Sequence, residues 1–217
     1  MNKTTSETLP CGFKWLDHDV GTMSELERAL FEITTLLTQS GYEYAVMGGL
    51  AVRVHSIPRP TYDVDLTVSI ERSELPKLFQ SLERLGFTIP APYQQGWVDE
   101  VGGMPLIKVK TYINGSPGVA IDIFLSETDF QKSCLKRRFE ITLDGRSLWV
   151  IAPEDLILLK LLAARPRDLL DVADILFTQG HLDETYLRQW AKSLDIADRL
   201  EKALTDARSE QQPASTN

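Results

Sequence analysis

Residues 47–68 read MGGLAVRVHSIPRPTYDVDLTV, and the pattern inside them decides the fold. Val64, Leu66 and Val68 alternate with Asp65 and Thr67, the two-residue period of a β-strand. Asp63 and Asp65 therefore project from one face, and the aliphatic set turns to the other, which can be buried. Upstream, residues 44–46 (YAV) form a short apolar run, and the pair Gly48-Gly49 follows directly after Met47. Glycines that follow a strand leave main-chain amides open to an anion or a phosphate. Residues 50–55 read as a short helix whose N-terminal amides face whatever the glycines expose. Pro58 and Pro60 stiffen the turn that delivers Thr61 and the aspartate strand. Phosphate donors beside paired carboxylates that can hold a divalent cation are the two halves of a phosphoryl-transfer site.

Outward from this stretch the chain alternates between helix and strand signals. Ser24 with Glu27 is a capping box, Leu26, Leu30, Ile33 and Leu37 recur at helical spacing, and Gly41 ends the helix. After the aspartate strand, Leu75, Leu78, Phe79, Leu82 and Leu85 mark a second helix closed by Gly86. Residues 87–104, with Pro90, Pro92 and two adjacent glycines, read as loop, with Trp97 either a lid or a core plug. Residues 106–112 alternate as a strand, and Asn114-Gly115 marks a turn. Residues 119–125 (VAIDIFL) are the most strand-like in the chain and set Asp122 among aliphatics. A buried carboxylate needs a partner or a metal. Asp122 is then either the third carboxylate of the site or a core acid paired with Lys108 or Lys110. Residues 139–150 read as a hairpin turning on Asp144-Gly145. Pro153 and Pro166 open two helices, PEDLILLKLLAA and PRDLLDVADILF, and helical stretches over 183–193 and 196–207 follow.

The 217 residues are 43% hydrophobic and 25% charged, ordinary globular material. A formal charge of -8 and an isoelectric point near 5.0 argue against broad coating of nucleic acid, though not against a local basic funnel. Lys132, Lys136, Arg137 and Arg138 are the one basic cluster that could face RNA. Cys11 and Cys134 are far apart and form neither a metal site nor a disulfide framework. With no long apolar run and no leader pattern, the expectation is a cytoplasmic protein without a membrane partner. The expected fold class is α/β, a small mixed sheet with flanking helices plus a C-terminal helical bundle. The expected division is a core over 22–150, a helical part over 151–207, and loosely ordered termini over 1–21 and 208–217.

Gly48-Gly49 followed by Asp63-x-Asp65 resembles the signature of the nucleotidyltransferase superfamily with the polymerase-beta-like core. The finer form, GGLAVxxHxxxRPTYDVDLTV, is similar to small nucleotidyltransferase toxins of the abortive-infection type (AbiEii/AbiGii), and the likeness spans residues 25–180. It is neither a Walker loop nor a dinucleotide fingerprint, since GK[ST] and GxGxxG are both absent. The resemblance implies a nucleotidyltransferase fold in which Asp63, Asp65 and Asp122 hold one or two Mg2+ ions. Asp122 would also help activate the incoming hydroxyl. It further implies that Gly48 and Gly49 cradle the triphosphate of an NTP such as ATP, with Arg59 and Lys160 neutralising its phosphates.

Lys160 sits in an otherwise apolar helix and either snorkels outward or points at a polar site. Asp168 either orients Lys160 or, with Asp171 three residues on, merely pairs within its helix. Arg167 stands where lysine is typical of the family, and His55 is secondary. The implied reaction is transfer of an NMP from an NTP to a hydroxyl on RNA such as tRNA, or on a protein. By the same resemblance the chain is a toxin with a cognate antitoxin. The alternatives are a catalytically weak nucleotide-binding regulator and a small-molecule, aminoglycoside-like nucleotidyltransferase.

Overall fold

The computed structural model describes residues 23–113 and 116–211. The expectations for residues 1–21, for the Asn114-Gly115 turn and for the last six residues lie outside them. The chain is a mixed α/β protein, and it divides into two compact units, Met1–Leu50 with Pro60–Ile151 and Ala51–Arg59 with Ala152–Asn217.

The first unit is built on a mixed sheet. Its strands are β1 (Tyr44–Met47), β2 (Asp63–Val68), β3 (Phe87–Thr88), β4 (Asp99–Val101), β5 (Met104–Ile113), β6 (Ser116–Leu125), β7 (Phe139–Leu143) and β8 (Arg146–Val150). They lie in the order β3-β5-β6-β2-β1-β8-β7, with β4 also on β5. β2 pairs antiparallel with β1 and parallel with β6. The alternation in the sequence produces the buried face. Val64, Leu66, Ile121, Ile123, Ile107 and Val109 meet across β2, β6 and β5, and none is exposed to solvent. Each such side chain contributes about 1.5–3 kcal/mol of burial. Helix α1 (Glu25–Gln39) covers β2 and β6 with Leu30, Ile33 and Leu37, and its capping box on Ser24 and Glu27 is formed.

Several local expectations change. Helix α2 begins at Gly48 rather than after the glycines, and runs Gly48–His55. Helix α3 (Leu75–Arg84) ends before Leu85, which is exposed. Residues 87–104 are not loop throughout. They form β3 and β4, each paired with β5, and a short helix α4 (Ala91–Gln94) that admits Pro92 in its first turn, where its missing N–H costs nothing. Helix α5 (Asp129–Arg137), started by a Thr128–Gln131 capping box, went unread behind its basic residues. Asp144 and Gly145 both take positive φ, +48° and +73°, as a tight hairpin turn requires. Thr67, on the same strand face as Asp63 and Asp65, is buried.

The second unit contains helices α6 (Pro153–Ala163), α7 (Pro166–Thr178), α8 (Glu184–Ser193) and α9 (Ala197–Gln211) with the segment Ala51–Arg59. α6 is buried almost all round, including Glu154, Asp155 and Lys160. Its charges are met locally: Tyr186 Oη donates to Asp155, and the Asp183 amide donates to Glu154 Oε1 at 3.0 Å. Ala164 stops α6 in the left-handed region (φ +50°), and Pro166 starts α7. α9 continues to Gln211, so the first residues of the expected loose tail are helical. No helix among the described residues is long and apolar enough to cross a membrane.

Replacing the α1 cap, Ser24→Ala, is expected to lower stability by about 1 kcal/mol, read as a shift in the urea unfolding midpoint with unchanged slope.

Candidate active site

The register of the sheet assembles one charged face in the first unit. Asp65 pairs with Met47 on β1 and with Asp122 on β6, and Asp122 pairs with Lys108 on β5. One step along, Asp63 lies opposite Ala120, which lies opposite Lys110. Side chains two apart share a strand face, so Asp63, Asp65, Asp122, Lys108 and Lys110 project together. Asp63 is exposed, and its Oδ1 accepts from Thr61 Oγ1 at 3.0 Å; Asp65 and Asp122 are half-buried. Asp122 accepts a hydrogen bond from Lys108 Nζ. Among the described residues, no three acidic, histidine or cysteine side chains are already gathered as a cation cage.

Gly48 explains the seat of Asp65. A Cβ on Gly48 would lie 1.8 Å from Asp65 Oδ2, so the carboxylate fills the space that any other residue would take. Gly48 also holds φ at +62°, and its left-handed backbone turns the chain from β1 into α2. The glycine is required twice over, for conformation and for the carboxylate above it.

The 90–103 segment flanks the same face, since Asp99 pairs with Leu106, two residues from Lys108. Trp97 is not a core plug. It is 62% exposed, and its Nε1 donates to Asp99 Oδ1 at 2.8 Å while Tyr93 Oη donates to Asp99 Oδ2 at 2.6 Å. Hydrogen bonds from Tyr93 and Trp97, helped by the Lys108 charge, hold the Asp99 carboxyl below its ordinary range. Burial, and then the bond to Asp99, push the Tyr93 phenol up.

In the second unit a buried ionic cluster gathers Arg59, Lys160, Asp168 and Asp171. Arg59 Nε and Nη2 grip the two oxygens of Asp171 at 2.5 and 2.7 Å. Lys160 Nζ lies 2.7 Å from Asp168 Oδ1 and 2.8 Å from Asp171 Oδ2. Lys160 does not snorkel; it is buried against two carboxylates. Asp168 and Asp171 both serve α6 rather than pairing only within their own helix. The Arg59 loop is pinned further: Arg53 Nε donates to the Arg59 carbonyl at 2.7 Å, and Gln179 Nε2 to the His55 carbonyl at 2.5 Å. Burial alone would raise the Asp171 carboxyl, but bonds from Arg59 and Lys160 outweigh it and hold it below its usual value.

The structure thus brings Gly48, Asp63, Asp65 and Asp122 onto one unit, and Arg59, Lys160 and Asp168 together on the other. Asp171 as the shared anchor of both cations was missed by sequence reasoning. Its signal was the three-residue spacing from Asp168, which puts both carboxylates on one side of α7. Of the basic cluster, Arg138 is engaged with Glu43, with the Leu135 carbonyl and over the Trp149 ring; Lys132 and Lys136 remain exposed.

The chain belongs to a nucleotidyltransferase family, described as nucleotidyltransferase of unknown function (DUF6036), whose model matches residues 24–206. No curated protein matches it. Among solved structures it is similar to an antigenic nucleotidyltransferase-like protein from Paracoccidioides brasiliensis (20% identity, 84% of this chain and 93% of that one, TM-score 0.49). It is also similar to the lincosamide antibiotic adenylyltransferase LnuA with lincomycin bound (17% identity, 73% and 100%, TM-score 0.46). A third is ANT(2")-Ia in complex with adenylyl-2"-tobramycin (17% identity, 85% and 98%, TM-score 0.46).

Gly48→Ala and Gly41→Ala separate backbone strain from the clash at Asp65. Both glycines have positive φ, but nothing lies within 4 Å of a Cβ at Gly41. Gly41→Ala is expected to cost about 1–2 kcal/mol and Gly48→Ala clearly more, compared by chemical unfolding.

Asp171 sets a pH dependence. Its carboxyl is depressed in the folded chain, so its contribution is complete above the ordinary value of 3.8 and is lost as pH falls through the lower folded value. Asp171→Asn should cost about 3–5 kcal/mol at neutral pH. Below about pH 4 its thermal midpoint should fall less steeply than that of the wild type, as calorimetry would show.

Proposed function

We propose that this protein is a Mg2+-dependent nucleotidyltransferase that moves an NMP from an NTP such as ATP to an acceptor hydroxyl, breaking the α–β phosphoanhydride bond and releasing pyrophosphate. The observation that carries this reading is the Asp65 carboxylate seated on Gly48, with Asp63 and Asp122 on the same strand face. Three aspartates offer only hard oxygen ligands, the donor set that suits Mg2+, and the Gly48 cradle fixes one of them. Asp63, Asp65 and Asp122 would hold the metal, which when bound supplies charge neutralisation at the phosphates and lowers the cost of deprotonating a hydroxyl.

The chain's own groups have separate parts. Asp63 and Asp65 orient the phosphate side, and Asp122 accepts the proton from the acceptor hydroxyl. The backbone after β1, at Gly48 and Gly49, provides amides for the triphosphate. Arg59 and Lys160 are the phosphate cations, and Asp168 and Asp171 hold them in place. The acceptor in this reading is RNA such as tRNA, or a protein, in the manner of abortive-infection toxins with a cognate antitoxin, acting in the cytoplasm. A small-molecule acceptor is the second reading, favoured by the exposed Trp97 beside Asp99 on the flank of the Asp122 strand pair.

The test is incubation with each α-labelled NTP and Mg2+, with total RNA, lysate protein or an aminoglycoside as acceptor. Label should pass to one acceptor class and fall at least about a hundredfold in Asp65→Asn. Folded protein that labels nothing with any nucleotide would refute transferase activity and leave a nucleotide binder.

A further inference from the structure

We propose that Lys108 is the resident counter-cation of Asp122, so that the carboxylate face by itself takes one divalent cation, at Asp63 and Asp65. A second ion then binds at Asp122 only when Lys108 leaves. This rests on the cation-binding reading of the same face. Its support lies in the sheet register and in the asymmetry between Asp63 and Asp122.

Lys108 and Asp122 are direct partners in the β5–β6 ladder, so their proximity is set by main-chain pairing rather than by a mobile loop. The ammonium donates to Asp122 Oδ2, and among the described residues it is the one cation bonded to that carboxylate. Asp63, by contrast, receives among the described residues only the neutral hydroxyl of Thr61. The charge of one carboxylate is therefore compensated from within the sheet, while that of Asp63 is met by a hydroxyl dipole.

An ammonium on Asp122 opposes a second ion in two ways. It occupies a lone pair that the ion would use, and it repels positive charge a few ångströms away. Lysine also suits reversible occupancy. Its side chain is 44% exposed, so the flexible stem can swing the head into water, whereas an arginine fork would grip the carboxylate at two points. On this face Leu106 lies opposite Phe124 and Lys110 opposite Ala120, so Lys108 is the β5 residue directly across from Asp122 and Lys110 lies diagonal to it, with the bond made by Lys108. The triphosphate of the incoming nucleotide is the natural destination for Lys108 when it is displaced.

Titration of the full-length protein with Mn2+ alone, followed by electron paramagnetic resonance of the free ion, tests this. Wild type and Lys108→Arg should bind one Mn2+ per chain, and Asp65→Asn should abolish that binding. Lys108→Met should gain a second ion, or bind Mn2+ about tenfold more tightly. Lys108→Gln, a second neutral replacement, should do the same if the methionine variant fails to fold. Equal stoichiometry and affinity in wild type and both neutral variants would overturn the role of Lys108 while leaving the cation site intact. Absence of any Asp65-dependent Mn2+ binding would overturn the cation reading itself, and the proposal with it.

Discussion

The parallel pairing of β2 with β6 is the constraint on which the rest of the first unit depends. It lays Asp65 directly beside Asp122 and, on the opposite side of the same strands, Leu66 beside Ile123. One register thus builds the buried core and the charged face together. A slip of one residue would turn every aspartate inward and every aliphatic outward. The core is what prevents it: burying several fully covered aliphatic side chains is worth far more than the repulsion between neighbouring carboxylates on a half-exposed face. The hydrophobic side of the sheet therefore stabilises an electrostatically unfavourable arrangement on its other side.

The two units handle charge differently. On the sheet face the carboxylates are partly open to solvent, with only Lys108 and Lys110 near them on β5. In the helical unit, two cations and two carboxylates neutralise one another in a buried cluster. Removing one member of such a cluster leaves a charge without its partner in a poorly solvated place. The cluster is thus sensitive to single substitutions although its net charge is zero. Asp171, bonded to both Arg59 and Lys160, is the member whose loss touches most of the others.

Much of this was legible in the sequence where a local rule has a strong physical cause. The alternation of residues 63–68, the Ser24–Glu27 box and the Asp144-Gly145 turn each state their structure through sterics or hydrogen bonding over a few residues. Segment 87–104 was not legible in that way. β3 and β4 are short and form only because β5 offers them an edge, a long-range fact that no local window holds. The candidate site divides likewise. Asp63 and Asp65 share a face by strand period alone. The partners of Lys160 and Arg59 come from residues 8 to 112 positions away. Of the expectations for Asp122, the pairing with Lys108 is formed, and the half-buried carboxylate also lies beside Asp65.

The segment Ala51–Arg59 belongs to the helical unit although the chain on either side of it, through Leu50 and from Pro60, belongs to the sheet. The polypeptide thus passes from one unit to the other three times. A chain cut after Ile151 would keep Arg59, Arg53 and His55 but lose Asp171 and Gln179, the groups that hold that segment. Neither unit can be lifted out as a contiguous piece of gene, so the helical part cannot be exchanged among sheets the way a terminal module can. The two are inherited as one, and variation in the helical part is constrained by nine residues encoded inside the other half.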